Sequence, residues 1–91
     1  MKASAQFLAD RTELQKLEPF TAEFAAAAGL GDKDLFALQI VAEELVTNVI
    51  DYGGVPDREH AATLDLSVED GLLTIVLTDR GTEYNPLLRA D

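Results

Sequence analysis

Glu44 and Asn48 stand four residues apart in Val41-Ala-Glu-Glu-Leu-Val-Thr-Asn-Val-Ile-Asp-Tyr-Gly53, a mostly apolar run. Four residues is just over one helical turn, so on a helix the carboxylate and the carboxamide share a face. A carboxylate within one hydrogen bond, or one water, of a hydroxyl acts as a base or orients a nucleophile. A carboxamide oxygen suits a hard cation such as Mg²⁺, which takes few ligands from protein and the rest from phosphates and water. The same spacing also arises when Glu44 is simply solvated and Asn48 is an interior amide with its hydrogen bonds satisfied. A polar group on the buried side of a helix is costly without such partners.

A second patch is Leu77-Thr-Asp-Arg-Gly-Thr-Glu-Tyr-Asn-Pro86, where a strand runs into a Gly-containing turn. Asp79 at a strand end can accept a hydrogen bond from an exocyclic amine. Gly81 has no Cβ and lets a flat ring approach the backbone. The other use of Asp-x-Gly is to start a turn.

The elements that must hold these residues follow from pattern. Residues 3–9 have weak strand character. Asp10 and Glu13 read as a capping box, with Asp10 accepting from backbone and Glu13 reaching back. A helix is expected from about Arg11 to Ala28, kinked or divided by Pro19 and ended by a left-handed cap at Gly29. A second helix is expected from about Lys33 to Tyr52. Leu35, Leu38, Ala42, Leu45, Val49 and Tyr52 form one stripe. Phe36, Ile40, Val46 and Ile50 make other faces apolar too, so this helix is expected to be buried on more than one side. Leu64, Leu66 and Val68 alternate with Asp65, Ser67 and Glu69, a half-buried strand over 62–69. Asp70-Gly71 is a hairpin signal leading to a return strand, Leu72 to Thr78, with Leu73, Ile75 and Leu77 facing the core. Arg80 to Pro86 reads as a turn.

Composition bounds the function. Ninety-one residues allow one domain and one modest core. Without Cys there is neither a disulfide nor a thiolate metal site. A net charge of −10 argues against a nucleic-acid or anionic-membrane surface and suits a basic partner. It also sets a polyanionic ligand the need for a counter-cation. The first residues lack the apolar core of a signal peptide, and no apolar run approaches the length that spans a bilayer. A cytoplasmic location is expected. His60 has no second imidazole for a metal site, and Arg80, Arg89 and Tyr84 read as solvated or packing side chains.

The order helix, Glu-x-x-x-Asn, hairpin, Asp-x-Gly resembles the histidine-kinase-like ATPase superfamily over nearly the whole chain. Within it, the likeness is to the anti-sigma-factor serine kinases. Glu44-Leu-Val-Thr-Asn48 looks like their N box, and Asp79-Arg-Gly-Thr-Glu-Tyr-Asn-Pro86 like their adenine-binding box. The resemblance implies an α+β fold, a two-layer sandwich with a mixed or antiparallel sheet and helices on one face. It implies ATP and Mg²⁺ as ligands. Asn48 would ligate Mg²⁺, Glu44 would polarise the attacking hydroxyl, Asp79 would accept from the adenine amine, and Gly81 would shape the adenine wall. Asp51 and Tyr52 would border the nucleotide; Tyr52 stands where these kinases often have His. Glu83 stands in place of a second Gly.

The family continues with a lid, a Gly-rich phosphate box and closing strands, and the chain ends at Asp91 before any of these. Residues 1–91 are therefore expected to be one domain incomplete at its C-terminus. Alone it would bind ATP more weakly than about 1 mM. The implied activity is transfer of the γ-phosphoryl group to a Ser of an antagonist protein, with a sigma factor as second partner. The alternative is a non-catalytic interaction domain of the same fold that has lost ATP. Glu44, Asn48 and Asp79 are expected to converge on one concave face. A homodimer is expected too, because the outer edge of strand 72–78 looks uncovered.

Overall fold

The computed structural model describes residues 1–8, 10–52, 61–79, 82–84 and 87–89, with backbone alone for 51, 52, 61, 82–84 and 87–89. The chain runs as strand β1 (Lys2–Leu8), a 3₁₀ segment (Arg11–Lys16), helices α1 (Leu17–Ala28) and α2 (Asp32–Tyr52), then strands β2 (Ala61–Glu69), β3 (Leu72–Asp79), β4 (Thr82–Tyr84) and β5 (Leu87–Arg89).

Pro19 explains where the first helical region divides. It falls in the opening turn of α1, where backbone N–H groups have no intrahelical acceptor and a missing one costs nothing. The six residues Arg11–Lys16 form the 3₁₀ segment instead of extending the α-helix. The expected capping box forms only in part. Asp10 accepts from the Thr12 N–H at 3.0 Å and the Thr12 hydroxyl at 2.9 Å. The Glu13 carboxylate reaches past it to the Leu8 N–H at 3.0 Å. Gly29 closes α1 at φ 72°, a conformation in which a Cβ is strained.

The sheet is antiparallel throughout, in the order β1-β2-β3, with β4 and β5 both on the outer side of β3. Asp70 and Gly71 both take positive φ, 52° and 76°, as a two-residue hairpin twisted with its strands requires. Beyond β3 the structure departs from expectation. Thr82–Tyr84 is a strand, so only Arg80 and Gly81 lie between the paired residues Asp79 and Thr82. Tyr84 faces Leu77 and Leu87 faces Thr74, so β4 and β5 keep one register along β3. Among the described residues, the outer edge of β3 is thus paired at both ends, Leu72–Thr74 with β5 and Leu77–Asp79 with β4. Along those described residues the edge is not uncovered, which removes the reason for expecting a homodimer there.

Period-two alternation assigns the two faces of the sheet. Phe7, Ala62, Leu64, Leu66, Leu73, Ile75 and Leu77 are buried on one face and meet Leu17, Phe24, Leu38, Ala42 and Val46 from the helices. The register agrees, since Leu64 pairs with Leu77 and Leu66 with Ile75. Ser4, Asp65 and Ser67 lie on the opposite face, away from the helices. The architecture is a two-layer α+β sandwich with its helices on one face. Each fully buried Leu contributes roughly 1.5–3 kcal/mol of hydrophobic stabilisation.

One expectation for α2 is corrected. It is buried along a single stripe, Asp34, Leu38, Ala42 and Val46. Phe36 is 66% exposed and Ile40 48%, so the helix is not enclosed on more than one side. Periodicity marks which residues are apolar, whereas burial depends on whether another element arrives to cover them.

Candidate functional site

Asp34, Leu38, Ala42 and Val46 recur at every fourth residue and fix the rotation of α2 about its axis. Burial of that stripe turns the Glu43–Glu44 and Asn48 positions to the opposite side. Glu44 and Asn48 are both exposed, one turn apart. They line one shallow depression together with Ile40, Glu43 and Thr47. The alternative of an interior amide is removed for Asn48, because its side chain is not interior. Ile40 and Thr47 do not stand out in the sequence as site residues, whereas Glu43 reads as part of an acidic cluster around the site. Their signal is positional: Ile40 and Thr47 lie four and three residues from Glu44 on the helix and so border the same patch, and Glu43 adjoins Glu44 in the chain.

Asp79 is the last residue of β3 and is half-buried. Leu73, Ile75 and Leu77 are buried against the helices. Two-residue alternation therefore puts Asp79 on that same face of the sheet. It is not among the described walls of the Glu44–Asn48 depression. Asp51 and Tyr52 form the last turn of α2, with side chains outside the described residues, and Gly81 also lies outside them. The structure thus brings Glu44 and Asn48 together and sets Asp79 on the helix-bearing side of the sheet.

The donor chemistry of the depression is a carboxamide oxygen and two carboxylates, with Thr47 beside them. Among the described residues no group of three or more His, Cys, Asp or Glu side chains forms a metal cage. Such a donor set fits Mg²⁺ carried in with phosphates, for which one or two protein oxygens suffice. Among the described residues, neither Glu43 nor Glu44 forms an ion pair.

A sequence model of the histidine kinase-like ATPase domain matches residues 7–91. The chain belongs to the histidine kinase-like ATPase family, whose domain implies ATP as ligand. No curated protein matches it. No helix among the described residues is long and apolar enough to cross a membrane.

Proposed function

We propose that this chain forms the nucleotide-binding part of a protein serine kinase of the anti-sigma-factor type. The observation that carries the reading is the exposed pair Glu44 and Asn48 side by side in one depression on α2. In this reading the Asn48 carboxamide oxygen holds Mg²⁺, and Asp79 accepts from the adenine amine, with Gly81, Asp51 and Tyr52 around the nucleotide. Mg²⁺, when bound, neutralises charge on the β- and γ-phosphates. The Glu44 carboxylate accepts the proton of the attacking Ser hydroxyl. The Ser oxygen bonds to the γ-phosphorus as the bond from that phosphorus to the bridging oxygen breaks, leaving ADP. Catalysis of this kind is mostly positioning and charge neutralisation. The protein substrate in this reading is a small antagonist protein, and a sigma factor is the regulated partner.

The test is titration of a fluorescent ATP analogue with and without Mg²⁺, followed by loss of the γ-phosphate. In a longer chain that carries the lid and Gly-rich phosphate box, Asn48→Ala removes the Mg²⁺-dependent part of binding. Glu44→Ala spares binding and slows phosphoryl transfer. Equal loss of binding in both variants would remove the division of roles. No Mg²⁺-dependent binding in that longer chain would leave the interaction-domain reading in its place.

A further inference from the structure

The apolar exposure on α2 is not scattered. Phe36 and Ile40 are one turn apart, and Glu44 follows Ile40 by another turn, so the three lie in one row on the solvent side of the helix. Glu43 and Thr47 flank the row. From Phe36 to Asn48 it extends about 18 Å at 1.5 Å per residue, the length of a three-turn helix. Single exposed apolar residues need no explanation, but an apolar end joined to a charged end along one helix face resembles a helix-in-groove recognition surface. The charge is of one sign. α2 carries five carboxylates and a single Lys, and the whole chain has a net charge of −10. The depression itself holds Glu43 and Glu44 and no cation among its described walls.

We infer that the Phe36–Ile40–Glu43 face of α2 is a docking surface for a basic amphipathic helix of a partner protein. The partner's apolar side chains cover Phe36 and Ile40. Its Lys or Arg side chains meet Glu43 and Glu44, where an unpaired acidic patch favours their approach. An acidic or neutral helix would gain the apolar contact and lack the charge match. A second copy of this chain would bring more negative charge to the same place. Ile40 shares its depression with Glu44 and Asn48, so the docked helix abuts the proposed nucleotide groups. Docking itself does not require a nucleotide there.

The probe is a fluorescein-labelled Lys–Leu helix of about 14 residues, long enough to span the row, with a Glu–Leu peptide of the same pattern as comparator. Fluorescence anisotropy is expected to show the Lys–Leu peptide binding with a Kd of about 10 μM or below, and the Glu–Leu peptide not binding. Phe36→Ser and Ile40→Ser weaken binding about tenfold each, and Glu43→Gln about threefold. Asp65→Asn removes the same charge from the opposite face of the sheet and changes nothing. Equal losses with Asp65→Asn and Glu43→Gln would show a charge effect without a site and overturn the inference. So would indifference to Ile40→Ser. Self-association that Ile40→Ser relieves, without peptide binding, would assign the face to a second copy instead. Mg²⁺-dependent nucleotide binding is read on the same Glu43→Gln protein. Its retention or loss reports on the nucleotide reading separately.

Discussion

The two sides of α2 both carry apolar residues, more on the covered side, and meet opposite fates. One side, Leu38, Ala42 and Val46, is closed against the sheet; the other, Phe36 and Ile40, faces solvent beside Glu43, Glu44 and Asn48. Both sides read as hydrophobic in the linear sequence. The difference is set by the sheet, which presents Leu64, Leu66, Ile75 and Leu77 to one side only. A helix covered on one side must get its stability there, which leaves the other side to evolve for recognition. Asp34 belongs to the covered stripe despite its charge. It sits in the first turn, where the helix dipole favours a carboxylate.

Substitutions can break this contrast. Leu38→Ala empties a fully buried position and is expected to cost about 2–5 kcal/mol. That is a large share of the roughly 5–14 kcal/mol available to a chain of this size. Urea unfolding measures it, and a loss under about 1 kcal/mol would mean that the covered side is not the stabilising side. Next in size is Asn48→Ala. In a longer chain that carries the lid and phosphate box, Mg²⁺-dependent nucleotide binding should fall by at least about tenfold, or 1.4 kcal/mol, while urea stability stays within about 0.5 kcal/mol. A matching loss of stability would make Asn48 a structural residue. Gly29→Ala places a Cβ at φ 72° and should cost about 1 kcal/mol, from strain alone, since nothing lies within 4 Å of the new atom. The smallest effect belongs to Ile40→Ser, expected within about 0.5 kcal/mol of the unaltered protein. A larger destabilisation would show that the open side of α2 is covered after all.

Much of this contrast is legible in the sequence. Asp70-Gly71 identifies the hairpin because positive φ at both positions admits few residue pairs. Gly29 marks the end of α1, and helical spacing alone pairs Glu44 with Asn48. Three features are not legible. β4 and β5 are three residues each, too short for alternation to register, and they flank an Asn-Pro that reads as a turn. The exposure of Phe36 and Ile40 depends on what packs elsewhere. Glu13 has the spacing of a reciprocal cap for Asp10, but it bonds Leu8, a partner that only the turn from β1 into the 3₁₀ segment brings near. For the site, spacing predicts the Glu44–Asn48 neighbourhood. It does not predict how a residue some thirty positions away, Asp79, lies relative to them.

That Glu13 contact has a consequence for growth of the sheet. All of β1 lies in register with β2, but the odd residues aim their backbone hydrogen-bonding groups at it, so Gln6 and Leu8 direct theirs outward. The Lys16 ammonium donates to the Gln6 carbonyl at 3.2 Å and to Glu13 Oε1 at 2.8 Å, while the same Oε1 accepts from the Leu8 N–H. A single ion pair from the 3₁₀ segment therefore plugs the end of the strand on which another chain would otherwise polymerise. The plug is acid-labile. The hydrogen bond from Lys16, then that from the Leu8 N–H, lowers the Glu13 pKa below its ordinary 4.5. Its contribution is therefore complete above that value and is lost as the pH falls through the lower value of the folded state. Acidified solutions should accordingly show fibre-like association, followed by thioflavin fluorescence. Glu13→Gln, which cannot carry the charge, should show it already at neutral pH.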